Sequence, residues 1–275
     1  MYCLQINIQP TAGMTFRILP GSILNIATYP FAPPTSVSGF LRRLGMMYAG
    51  LEIPQTRTNN DNPPFYALPQ RYCALGAYPL KGTLSGVHRT YRKGMREFNH
   101  DTFSRIYQDE DRANFQLHTW EYFIAQELIS YVIADSPEGL EIFQKLVDYG
   151  CKLGKEGYAV VTQVSEIVEL YQETSAKYPS TIVPMENLIQ TNPFISGYDI
   201  YNLYRYKWAL NHNTGLVTEG FLDNLESRIE GFIPFITAYF LEEAVIPPTL
   251  EYFTDGNDIN IPVSLVNLLK GETYV

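Results

Sequence analysis

Ten residues carry the densest chemistry of this sequence: Val87-His-Arg-Thr-Tyr-Arg-Lys-Gly-Met-Arg96. Arg89, Arg92, Lys93 and Arg96 are cations of the kind that meet phosphates, and Tyr91 offers a ring on which an unpaired base can stack. Stacking is worth roughly 1–3 kcal/mol per base, whereas each single-strand phosphate contact adds a slope of about 0.7 in log[salt]. The stretch has no amphipathic period, which suits a projecting hairpin or loop better than a packed element. His88, Tyr91 and Lys93 are also residue types that can move protons in metal-free RNA cleavage, with the cations stabilising the developing charge. A plain solvated basic loop is the bland alternative.

Other chemistries find no support. The four histidines, His88, His100, His118 and His212, are dispersed, with neither a His-Glu-x-x-His pattern nor paired Cys/His spacing. Neither a Gly-x-Ser-x-Gly elbow nor a phosphate-binding Gly-x4-Gly-Lys-Ser/Thr loop occurs, and Gly154-Lys-Glu-Gly157 is too short to identify a nucleotide site. The expectation is therefore no metal, no cofactor and no catalytic residue.

A second basic group sits near the start. Three prolines in Pro30-Phe-Ala-Pro-Pro-Thr-Ser-Val-Ser-Gly-Phe-Leu-Arg-Arg-Leu-Gly45 precede a helix, for which Thr35 or Ser36 is the expected N-cap. Val37, Phe40, Leu41, Leu44 and Tyr48 fall on one apolar stripe, with Arg42 and Arg43 off it. Ser36 and Ser38 lie at the helix start, where free N–H groups and the positive dipole end attract phosphate.

The charge is unevenly spread. Residues 1–105 hold 11 Lys and Arg against 4 Asp and Glu, a net of +7, and residues 106–275 hold 9 against 25, a net of −16, within a total of −9. A basic front half suits a polyanion, and an acidic back half would repel stray nucleic acid or dock a basic protein. The 21 Tyr and 15 Phe exceed what a chain of 275 residues usually carries, a surplus that fills cores or forms contact surface. Cys3, Cys73 and Cys151, an odd number without Cys-x-x-Cys spacing, fit a reducing compartment. The N-terminus lacks a signal-peptide pattern, and no stretch stays apolar for the roughly 18 residues of a spanning helix. The expected location is the cytoplasm, without membrane contact.

The elements that must hold these groups follow from periodicity. Tyr2, Leu4, Ile6 and Ile8 alternate with polar residues as in a half-buried strand. Residues 52–70 are polar and proline-rich, a loop, and 71–105 form the most basic window, with 7 basic and 2 acidic residues. Ser136 to Gly150 reads as a second helix, with Ser136 as N-cap and Leu140, Phe143, Leu146 and Val147 as its buried face. Tyr122–Ala134 and Tyr158–Leu170 are strand-like and bracket it. Two β-α-β passages in about 175 residues outline an α+β, ferredoxin-like domain. Beyond a soft boundary near 180, residues 217–244 look helical, with Pro234 as a break.

Three segments, in order, resemble a known family. Pro34-Thr-Ser-Val-Ser-Gly-Phe-Leu-Arg-Arg-Leu-Gly resembles the Pro-Thr-x-x-x-Gly-Leu-Leu helix of the Cas-five family, the RAMP-superfamily subunit of CRISPR Cascade complexes. His118-Thr-Trp-Glu-Tyr-Phe-Ile is similar to that family's Arg-Glu-Tyr-Leu strand, and Tyr149-Gly-Cys-Lys-Leu-Gly-Lys-Glu-Gly to its Tyr-x-Pro-Tyr-Leu-Gly loop. The chain departs from the pattern at Thr119, where the family often has a basic residue, and at Lys152 and Leu153, which replace Pro-Tyr.

The resemblance implies a ferredoxin-like RAMP domain over 1–180 with a thumb-like insertion at about 71–117; the acidic, partly helical extension expected over 181–275 lies beyond what it covers. It implies a non-catalytic subunit of a type I Cascade that caps the backbone and binds the 5′ handle of the CRISPR RNA. Its partners would be that RNA, the neighbouring backbone subunit, the large subunit and, within the complex, target DNA. The RNA-contacting set would be Ser36, Ser38, Arg42, Arg43, Arg89, Tyr91, Arg92, Lys93 and Arg96, with Gly154 and Lys155 as a supporting loop. The alternatives are a metal-independent endoribonuclease acting on CRISPR precursor RNA, and a protein-only adaptor.

Overall fold

Alternation at the N-terminus builds β1 (Tyr2–Pro10), whose Leu4, Ile6 and Ile8 are fully buried. The computed structural model describes residues 1–18, 25–50, 67–95, 115–188, 197–208, 229–241 and 246–271. After β2 (Asn25–Ile26) comes α1 (Pro34–Tyr48), then β3 (Cys73–Pro79), β4 (Ser85–Met95), β5 (Phe115–Ala125) and β6 (Leu128–Ala134). A 3-10 turn over Leu140–Leu146 leads to β7 (Gly150–Lys152), β8 (Tyr158–Val164) and β9 (Val168–Glu169).

The main sheet runs β3-β6-β1-β8-β7, with antiparallel neighbours throughout, and β9 adds to β1. Taking β1, β3, β6 and β8 as first to fourth strands, the order is second, third, first, fourth, with α1 and the 3-10 turn as the two crossovers. This is the ferredoxin-like arrangement of an α+β domain. Between the second and third strands the chain leaves the sheet as a hairpin. β4 and β5 pair over their full length, from Ser85 opposite Ala125 to Met95 opposite Phe115, and β2 joins the outer side of β5 in parallel.

The C-terminal part contains β10 (Tyr171–Ala176), β11 (Val183–Pro184), a 3-10 turn at Met185–Asn187, β12 (Tyr198–Trp208), β13 (Ile229–Phe240), β14 (Thr249–Thr254), β15 (Asn260–Pro262) and α2 (Val263–Lys270). They form two further antiparallel sheets, β10-β14-β15 and β11-β13-β12. Both close on the main sheet. The Tyr78 and Tyr239 rings stack at 6.0 Å, the Phe31 and Tyr239 rings meet at 4.9 Å, and the Ile182 N–H donates to Tyr78 Oη at 3.2 Å. One apolar core therefore runs from Leu4 and Leu41 to Leu203, Phe235 and Val266.

Several sequence expectations are corrected. Neither Thr35 nor Ser36 caps α1: the helix begins at Pro34, with Pro33 as N-cap and no side-chain bond there. A proline at the first position comes with its φ preset, and Ala32 is pinned to Ala77 by two backbone bonds, so the start is fixed without a hydroxyl cap. The expected helix over 136–150 is the short 3-10 turn instead. Leu140, Phe143 and Leu146 are buried as expected, but a spacing of three is the 3-10 period; Gly139, at φ 84, opens the turn, and Gly150 belongs to β7. Residues 229–240 of the expected 217–244 helix form β13, and 209–228 lie outside the described residues. Pro234 is accommodated because β11 pairs only with Thr237 and Ala238, so among the described residues nothing pairs with β13 on that side at the proline. The sheet claims Cys73–Pro79, so the insertion proper is the Ser85–Ala125 hairpin. β10, ahead of residue 180, pairs with β14 behind it, so the pairing and the core both cross that boundary.

Candidate nucleic-acid interface

The hairpin is anchored at its base on both faces. Successive strand residues point to opposite sides, so Arg89 and Tyr91 on β4 share a face with Glu121, while Thr90 and His88 share the other with Trp120 and Tyr122. On the first face Glu121, 8% exposed, accepts from Arg89 Nε at 2.9 Å and Nη2 at 2.6 Å with Oε1, and from the Thr28 N–H at 3.2 Å with Oε2. The carboxylate ties the hairpin to the segment leading into α1. It also raises the pKa of Arg89, first through the hydrogen bond and then through charge, and Tyr91 adds a small contribution.

On the second face Trp120 Nε1 donates to Thr15 Oγ1 at 3.0 Å, and Thr15 Oγ1 donates to the Glu121 carbonyl at 2.9 Å. Lys155 Nζ lies 4.4 Å from the Trp120 ring centre, a cation–π contact, and Tyr122 Oη donates to Glu156 at 3.2 Å. The Lys155 backbone exchanges two bonds with Thr15, and Phe123, fully buried, exchanges two with Met14. Gly154 allows this approach: it sits at φ 69, where a Cβ would come within 2.8 Å of Phe16 and 3.1 Å of the Thr15 carbonyl.

The sequence-derived residues therefore divide. Arg89 and Tyr91 stand on the hairpin, with the Arg89 side chain 59% exposed and Tyr91 64% exposed. Gly154 and Lys155 are brought to the hairpin base, behind Trp120. Arg92 and Lys93 continue β4 opposite His118 and Leu117, and Arg96 lies outside the described residues.

The helix group is corrected. Ser38 is 7% exposed and its hydroxyl accepts the Leu68 N–H at 2.9 Å. Arg42, one turn further along the same side of α1, is 5% exposed. That side is covered by β12, whose Tyr206 Oη donates to the Thr35 carbonyl at 3.0 Å. Burial pushes the Tyr206 phenol well above its ordinary pKa, against a smaller opposing effect from Ser38. Neither Ser38 nor Arg42 is presented to a ligand. Ser36 and Arg43 are half-buried. Arg43 faces Cys151 of β7, whose thiol is pushed up to about 12 by burial despite the guanidinium's opposing pull.

The chain matches no protein-family model and no curated protein. Among solved structures it is similar to a CRISPR protein from Archaeoglobus fulgidus, at 12% identity and a TM-score of 0.40, over 95% of this chain and 99% of that one. It is also similar to chains of the Type III-B Cmr-beta complex bound to cognate target RNA. One, in the state with AMPPnP, has 13% identity and a TM-score of 0.35 over 88% of this chain and 86% of that one. The other has 13% identity and a TM-score of 0.35 over 98% and 90%. The fold assignment rests on the strand order itself.

Trp120, Glu121, Tyr122 and Thr15 were not among the expected functional residues. The signal was present in the strand-like alternation of Tyr122 onward, but its extension back to Phe115, and hence the pairing of Glu121 with Arg89, needs the β4 register. Among the described residues no cluster of three His, Cys, Asp or Glu could hold a metal ion, and no helix is long and apolar enough to cross a membrane. All three thiols are buried, and burial raises the pKa of each, Cys73 to about 12.

Proposed function

We propose that this chain is an RNA-binding subunit of a CRISPR effector complex, and within that class the non-catalytic subunit that holds the 5′ handle of the CRISPR RNA and caps a type I Cascade backbone. The observation that carries the reading is the β4–β5 hairpin, which bears exposed Arg89 and Tyr91 and leaves a ferredoxin-like sheet between its second and third strands. Cations and an accessible ring on a projecting ribbon are what single-stranded RNA needs. The sequence resemblance to the Cas-five family at α1, β5 and the Leu153–Gly157 loop supports the finer assignment. The acidic C-terminal part would face protein partners, the large subunit among them.

Against the endoribonuclease alternative stands a point of geometry: His88 and Tyr91, three residues apart on one strand, project to opposite faces and do not converge on a single phosphate. The test is co-expression with a CRISPR array and the neighbouring backbone subunits, followed by sequencing of the co-purifying RNA and crosslink mapping. Crosslinks between a fixed 5′ repeat-derived segment and residues 87–96 are expected; an intact complex without RNA would reject the reading in favour of the protein-only adaptor. Replacing Arg89, Arg92, Lys93 and Arg96 together by alanine should flatten the salt dependence of RNA retention. Shortening of a repeat RNA by the purified chain in EDTA would reinstate catalysis.

A further inference from the structure

A cavity of about 40 Å³ lies where the start of α1, the start of β3, the end of α2 and β12 meet, and none of its lining residues belongs to the hairpin. Its lining is chemically lopsided. Arg205, Lys270 and Gln70 contribute cationic or amide donors, Trp208 and Tyr72 supply aromatic walls, and no carboxylate lines it among the described residues.

Most polar groups around it are already used. The Thr35 carbonyl takes the Tyr206 hydroxyl and Ser38 Oγ takes the Leu68 N–H, so α1 adds little beyond shape. Lys270 Nζ holds Asp135 at 2.6 Å, and Gln70 Nε2 makes a long 3.4 Å bond to the Lys270 carbonyl. Arg205 is the exception. Its Nε is closed off from solvent without a hydrogen-bond partner, and no ion pair engages its guanidinium among the described residues. Shielding a guanidinium donor without an acceptor is costly, and an occupant of opposite charge removes the cost. A water needs roughly 10–15 Å³ of such space, so this cavity has room for an occupant larger than one water, the size of an oxyanion.

We propose that this cavity is an oxyanion site that takes a phosphate group, with Arg205 as its principal donor and Lys270, which an incoming anion would share with Asp135, as a secondary one. It does not depend on the hairpin's proposed role, and the decisive titration contains no RNA. The whole chain is titrated with inorganic phosphate, against sodium chloride at matched ionic strength. Two readouts are followed: the thermal unfolding midpoint and, in a Trp120→Phe background, the emission of Trp208, since the chain has only two tryptophans. A bound anion raises the midpoint in a saturable way. Phosphate should raise it beyond chloride and change the Trp208 signal along the same curve. Arg205→Gln should weaken the response by about tenfold to a hundredfold, the span expected for one charged hydrogen-bond donor.

Lys270→Gln covers the case in which Arg205→Gln does not fold, and should weaken the response less. Equal responses to phosphate and chloride, or folded variants at both positions titrating like the parent, would overturn the site. Competition at matched ionic strength identifies the source of the phosphate: displacement of a bound single-stranded RNA by phosphate beyond chloride, lost in Arg205→Gln, points to an RNA backbone phosphate, and simultaneous binding points to the free anion.

Discussion

Two regions of this chain look alike in sequence and differ in the fold. The hairpin and helix α1 both combine adjacent cations with small polar residues, yet Arg89 and Tyr91 are 59% and 64% exposed, while Arg42 and Ser38 are 5% and 7% exposed. The difference does not arise locally. Among the described residues β4 has a strand partner on one side only, whereas α1 is covered on a second side by β12, about 150 residues further along. Charge density marks a region for polyanion contact only if no distant element claims it first.

The largest effect expected from this contrast is at Arg42. Arg42→Ala removes a long buried side chain and its charge, and should destabilise the fold by about 3 kcal/mol in urea unfolding. The salt slope of RNA binding by the folded fraction should stay as it was. Tyr91→Ala should do the reverse, leaving the unfolding midpoint within error and weakening single-stranded RNA binding by about tenfold. If Arg42→Ala lowered the salt slope at unchanged stability, the division between the regions would collapse.

Glu121→Ala comes next, and it acts on the hairpin with opposite signs in two assays. The Thr28 N–H, buried at 3% exposure, loses its acceptor, which costs about 2 kcal/mol of stability. Arg89 is released from its carboxylate, so RNA binding should gain a steeper salt slope, by about 0.7 if one further phosphate is engaged. Unchanged stability in this variant would mean that the hairpin is not tied to the body through Glu121.

What could be read in the sequence were the features set by neighbours in the chain. β1 alternates, and α1 buries Val37, Phe40, Leu41 and Leu44 of its expected stripe while Tyr48, at the helix end, is exposed. The second crossover was legible as an apolar face but not as a 3-10 turn, because Leu140, Phe143 and Leu146 fit either period over so short a run. Residues 229–240 were misread because Pro234 is a helix breaker and also a tolerated edge-strand residue; only the short pairing of β11 decides between them. At the site, the cations and Tyr91 were visible as composition. The ion pair of Arg89 and the burial of Arg42 were not, since both depend on contacts across 30 to 170 residues.

The thiol beside α1 gives a smaller effect that appears only in alkali. Cys151 ionises near 9.0 when unfolded and is pushed up to about 12 in the fold. Between those values the folded chain keeps a proton that the unfolded chain releases, so unfolding is favoured as pH rises, by about 1.4 kcal/mol per pH unit for one thiol. Cys151→Ala should therefore show a shallower alkaline loss of stability than the parent from about pH 9 upward. Arg43→Gln removes the charge that holds the thiol down and should prolong the parent's loss to higher pH. Identical alkaline arms in parent and Cys151→Ala would mean that Cys151 is not shielded by α1.

Lys155 tests the comparison at its smallest scale, because it belongs to the body by sequence and to the hairpin by contact. Lys155→Met keeps most of the stem and removes the charge above Trp120, so stability should fall by about 0.5 kcal/mol, the low end for an exposed cation–π pair. If the ammonium only steadies Trp120, combining the change with Trp120→Phe should be less than additive and the RNA salt slope should not move. If it also meets a phosphate, the slope should fall by about 0.7 in both backgrounds. The second result would extend the proposed RNA surface around the hairpin base to the Gly154 loop. The first would confine it to the face of β4 that carries Arg89 and Tyr91, and would make the loop a brace for the hairpin, since Gly154 is already required by its approach to Phe16 and Thr15.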